Sequence, residues 1–75
     1  MTESTRENQL KKLHVIATDL DLVTKLRTDA IEQLGRVGTH EALLVLLDLV
    51  ANERLVRQER EFALKQAREI LKSDH

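Results

Sequence analysis

The sequence predicts an all-α protein, and three features carry that expectation. Fourteen Leu and six Ala stand among twelve Lys/Arg and thirteen Asp/Glu, and Leu, Ala and long charged side chains have the best intrinsic helix propensities. Breakers are scarce, with two Gly and no Pro in 75 residues. Apolar residues recur three and four apart, the period of a helix face, without the β-branched and aromatic alternation that a half-buried strand requires.

A first helix is expected from the capping box Ser4-Thr-Arg-Glu7, in which the Ser hydroxyl takes an orphan amide and Glu7 reaches back to the cap. It runs to about Ala17 or Thr18, with Leu10, Leu13, Ala17 and Leu20 inward and Ile16 alongside. Asp19-Leu-Asp21 offers two cap candidates and marks a turn. A second helix follows over about Leu22 to Val37, with Leu26, Ala30, Leu34 and Val37 on its inward face. Gly38 suits the left-handed residue that ends it, and Thr39 the cap of the next helix. Gly35 lies inside the last turn, where it costs about 1 kcal/mol relative to Ala, and a close helix approach would explain it.

The third helix, about His40 to Ala51, is apolar from Ala42 onward except at Asp48. Its polar gap is narrow, with Glu41 and Asn52 beside Asp48, and a helix of this kind is normally covered on more than one side. Asn52-Glu-Arg54 forms a short turn, and a fourth helix spans about Leu55 to Lys72 with Val56, Ala63, Leu64, Ala67, Ile70 and Leu71 inward. Acid–base pairs in the favourable i,i+4 order occur at Glu7/Lys11, Asp21/Lys25, Glu32/Arg36, Glu53/Arg57 and Glu61/Lys65, as on a solvated helix surface.

The length allows one domain, 1–75, with one helical hairpin over about 4–37 and a second over about 39–72. The absence of Cys removes disulfides and thiolate metal sites and fits a reducing, cytoplasmic setting. The net charge is −1, and no basic excess of the kind that nucleic-acid binders carry is present in either half. The polar N-terminus, Met1 to Asn8, lacks an apolar signal core. The longest apolar run, Ala42 to Leu47, is far shorter than the roughly 20 residues of a membrane-spanning helix, so no membrane insertion is expected.

Helices two and four align internally. Leu26-Arg27-Thr-Asp-Ala30-Ile-Glu-Gln-Leu34 lies against Val56-Arg57-Gln-Glu-Arg60-Glu-Phe-Ala-Leu64, with 30 positions between the two Args, a period typical of helical repeats. The junction Leu26-Arg27-Thr-Asp-Ala30-Ile-Glu-Gln-Leu34-Gly35-Arg-Val37-Gly38-Thr39-His-Glu-Ala42-Leu43-Leu-Val-Leu46 resembles the HEAT-repeat superfamily, particularly its short bacterial and archaeal type related to phycobilisome lyases. The resemblance spans about residues 20 to 71. It departs from the family pattern at Thr39, where Asp-Pro is usual, and at Glu59–Arg60, the counterpart of Ala30. It implies two antiparallel HEAT-like hairpins forming a short α-solenoid. It also implies a structural ladder in which each second-helix Arg bonds the preceding turn, Arg27 with Asp21 and Arg57 with Asn52.

Chemistry is sparse. His14, His40 and His75 have no spacing that suggests a shared metal. His40-Glu41 resembles one of the His-Glu pairs of di-iron HEAT-repeat hydroxylases, but it opens a first helix and does not recur. Glu59, Arg60 and Glu61 lie together on the fourth helix without a pocket to give them catalytic meaning. No nucleophile arrangement or phosphate loop is present, so the expectation is a non-enzyme with no cofactor, metal or small-molecule substrate. The Args of the fourth helix keep a nucleic-acid-associated regulator as the alternative, without aromatics to stack bases. The favoured expectation is a protein–protein interaction module, self-associating, with Leu44, Val45, Leu47 and Phe62 as the partner-binding residues.

Overall fold

The computed structural model describes residues 2–73, with side chains from residue 8 onward, and holds four helices and no strand among them. They are α1 (Thr2–Thr18), α2 (Thr24–Val37), α3 (His40–Val50) and α4 (Arg57–Ser73). Helix α1 packs on α2 and α3 packs on α4, while α2 also meets α3 and α4, and α1 meets α3. No helix is long and apolar enough to cross a membrane among the described residues.

The side chains of the Ser4/Glu7 capping box lie outside the described residues, and the α1 backbone is already helical at Thr2. Leu10 and Ala17 enter the core with Leu13 packed against it. Leu20 does not, contrary to the expected stripe: α1 stops at Thr18, so Leu20 sits in the turn and is exposed. Helix α2 starts at Thr24 with Val23 as its cap, a residue that makes no side-chain cap bond. Neither Asp caps it. Asp19 instead closes the turn, its Oδ1 accepting from the Asp21 amide at 3.0 Å, the local bond that makes Asp favourable in turns.

The α2–α3 junction follows the sequence closely. Gly38 is left-handed at φ 67°, its amide donating to the Leu34 carbonyl, and the Thr39 hydroxyl accepts from the Ala42 amide at 3.1 Å. Gly35 marks a close approach to α4, because a Cβ there would run into the Gln66 side chain, whose own Cβ lies 3.1 Å from that point.

The inward faces of the second and fourth helices differ from expectation in rotation. Helix α2 buries Arg27, Ala30, Ile31 and Leu34, leaving Leu26 and Val37 exposed. Helix α4 buries Glu59, Ala63, Ala67 and Ile70, leaving Val56 and Leu71 exposed and Leu64 half-buried. In each case a charged side chain, Arg27 or Glu59, holds a core position outside the expected aliphatic stripe. Leu55, in the turn ahead of α4, is buried instead. One cluster joins these residues with Ala42, Leu43, Leu46 and Leu49 of α3, and each fully buried Leu or Ile contributes about 1.5–3 kcal/mol.

The α1–α2 and α3–α4 connections repeat one set of backbone bonds. Amides of Asp19, Leu22, Leu26 and Arg27 donate to the carbonyls of Ile16, Asp19, Val23 and Val23, and amides of Asn52, Leu55, Glu59 and Arg60 donate to those of Leu49, Asn52, Val56 and Val56. The side chains match too: Asn52 Oδ1 accepts from the Arg54 amide at 2.9 Å as Asp19 does from Asp21. Asp19 and Asn52 are 33 positions apart, so the recurrence has a step of 33 residues and not 30. It places Leu22 on Leu55, Val23 on Val56, Ala30 on Ala63, and Arg27 on Arg60 rather than on Arg57.

Candidate functional site

Arg27 sits where three elements meet. Its Nε donates to Glu59 Oε2 of α4 at 3.0 Å, and its Nη2 stands 2.9 Å from the same oxygen as an ion pair. Its Nη1 turns back to the carbonyls that end the 19–23 connection, donating to Leu22 and, at 3.5 Å, to Asp19, while Nη2 reaches Thr24 Oγ1 at 3.3 Å. The guanidinium thus uses its fixed fork of donors to satisfy a loop and a carboxylate at once, which a Lys could not do. Sequence reasoning missed Glu59. The signal was present: extending the Ala63, Ala67, Ile70 stripe back by four residues lands on it.

The expected ladder is therefore corrected in its particulars. Arg27 does bond the preceding turn, but through main-chain carbonyls, and Asp21 is exposed with its side chain outside that network. Arg57 bonds no part of the Asn52 turn; its side chain is 85% exposed and pairs along α4 with Glu61 at 3.4 Å. Asn52 closes its own turn. The 33-residue step explains the error, since it assigns the role of Arg27 to Arg60 and leaves Arg57 one helical turn too early, opposite Thr24.

Arg60 completes the set incompletely. Its Nε is buried and has no hydrogen-bond partner among the described residues. It lines a groove of about 220 Å³ with Val50 of α3 and Arg57, Glu61 and Leu64 of α4. Glu59 Oε1 is likewise buried without a partner. A buried donor left unmade costs about 1–3 kcal/mol.

Of the side chains expected to meet a partner, Leu44 is 54% and Leu47 is 42% exposed on α3. Val45 and Phe62 are half-buried and packed against the core, because Val45 faces α1 across a groove with Leu10, His14 and Val15. Asp48, the centre of the polar gap, has a specific contact: His14 Nε2 donates to its Oδ2 at 2.9 Å, tying α1 to α3.

Among the described residues no group of three or more His, Cys, Asp or Glu is placed to hold a metal ion. Of the acid–base pairs expected along the helices, Glu32–Arg36 forms, at 3.8 Å, while Arg57 takes Glu61 in place of Glu53, and Lys25 takes Asp29 in place of Asp21. Comparison with protein-family models, with curated proteins and with solved structures finds no match to this chain.

Proposed function

We propose that this chain is a non-catalytic protein–protein interaction module of HEAT-like type, two antiparallel helical hairpins that work in the cytoplasm by associating with a second copy or with another protein. The observation that carries the reading is the exposed apolar pair Leu44 and Leu47 on α3. These lie one turn apart on a helix whose other faces are already committed to α1, α2 and α4. Two exposed Leu one turn apart offer a partner a contiguous apolar strip to cover. The 33-residue recurrence of the turn bonds supports the repeat reading, since repeat proteins bury their cores by stacking such units and two units leave both ends open.

The alternative, a nucleic-acid-associated regulator using the Args of α4, is the weaker reading. Glu61 stands among Arg57 and Arg60 in the same groove and pairs with Arg57, which offsets the positive charge a phosphate backbone would need.

Analytical ultracentrifugation at about 10 µM, near the affinities such small interfaces reach, together with capture of cellular partners, tests the module. Leu44→Glu and Leu47→Glu should abolish association while retaining the helical circular dichroism of the parent. A monomeric parent that captures no protein, or association indifferent to both substitutions, overturns the reading.

A further inference from the structure

We propose that the groove around Arg60 is completed by Glu61 of a second copy of this chain, in a two-fold contact between their α4 helices. The inference rests on the interaction-module reading and names the contact through which it operates. Its starting point is the 33-residue step, which makes Arg60 the counterpart of Arg27. Arg27 has a carboxylate from the next helix layer, Glu59. Arg60 has a buried Nε with no partner among the described residues, and the half-buried side chain itself lines an open groove. The same chemistry that recognises Glu59 within the chain is therefore available, unfilled, at its α3–α4 end, and a carboxylate is what fits it.

Two arrangements of a second copy are conceivable, and the register decides between them. In a head-to-tail stack, the next copy's α2 would lie on α4 as α4 lies on α2. The residue one step before Glu59 is Leu26, an aliphatic side chain, and it would bring no acceptor to Arg60. In a two-fold contact the same patch meets itself. That patch is self-complementary: Arg57, Arg60, Leu64 and Glu61 fall within an arc of about 100° on α4, at 3.6 residues per turn. In an antiparallel pairing centred between Arg60 and Glu61, each Arg60 faces the second copy's Glu61. The same register sets each Leu64 against the second copy's Arg57, whose aliphatic stem covers it. Glu61 is free to turn outward, its side chain being 66% exposed and held only by the surface pair with Arg57. Leu47, exposed and one turn before the groove residue Val50, extends the apolar part of the contact.

The test is a charge swap read by sedimentation equilibrium, with thermal melts as the control for folding. The parent should be a dimer that weakens with added salt. Glu61→Arg, at an exposed position, should raise the dimer dissociation constant at least about tenfold without lowering the melting temperature of the monomer, and Arg60→Glu should do the same to association. The double variant Arg60→Glu/Glu61→Arg should regain most of the lost affinity, because both contacts of the two-fold are then reversed in sign. A dimer unaffected by Glu61→Arg but broken by Leu47→Glu sinks this contact and leaves the module reading standing. So does a monomeric parent that binds a foreign protein. A parent with neither self-association nor a partner fails both, and a double variant no better than the singles overturns the proposed pairing.

Discussion

Arg27 and Glu59, 32 residues apart in sequence, form a hydrogen-bonded ion pair whose side chains are only 9% and 1% exposed. It joins α2 to α4 and, through the other guanidinium nitrogen, fixes the turn that precedes α2. A buried pair of this kind is costly to desolvate, so its consequence is better read from what happens when half of it is removed.

Arg27→Ala strands a buried carboxylate and unties the 19–23 carbonyls, and should destabilise the fold by about 3–5 kcal/mol. Glu59→Ala strands the guanidinium to similar effect. An Arg27→Met/Glu59→Leu double substitution should recover most of the loss, since apolar residues of similar volume replace both charges. Urea unfolding of the four proteins measures this, and additive losses would show that the two side chains act separately.

Arg57→Ala should leave stability within about 0.5 kcal/mol of the parent, as surface substitutions usually do, because only an exposed i,i+4 pair with Glu61 is lost. A melting temperature lowered as far as by Arg27→Ala would restore to Arg57 the ladder role that its exposed side chain contradicts.

At the α2–α3 junction, Thr39→Ala removes the hydroxyl that accepts from Ala42 and should cost about 1 kcal/mol. Gly38→Ala forces a Cβ into the left-handed region at φ 67° and should cost about 1–2 kcal/mol. Denaturant midpoints at unchanged slope check both.

Gly35→Ala gains helix propensity of about 1 kcal/mol but drives its Cβ against the Gln66 carboxamide, whose Cδ lies 2.9 Å from that point. The gain should be lost in the parent and recovered, by about 0.5–1 kcal/mol, when Gln66→Ala is already present. Equal effects of Gly35→Ala in the two backgrounds would rule out the close approach as the reason for glycine.

What the sequence by itself determined is local. Helix composition, the Gly38–Thr39 stop and start, and the positions of turns beginning at Asp19 and Asn52 depend on backbone conformations and caps that neighbouring residues dictate, so they are legible without a fold, although each following helix starts two residues later than the sequence suggests. The tertiary structure decided which way α2 and α4 turn. Periodicity favoured aliphatic Leu26, Val37, Val56 and Leu71 inward, each a reasonable core residue alone. The observed faces centre on Arg27 and Glu59, because each makes the other's burial tolerable, and that compensation exists only once α2 and α4 are side by side. The repeat register shows the same division. Aligning side-chain types gave a step of 30, whereas the hydrogen bonds of the two turns give 33. A one-turn shift barely changes a helical pattern of Arg and Leu, but it changes which Arg stands at the register position of Arg27. Arg60, and with it the candidate contact, became visible only through that geometry.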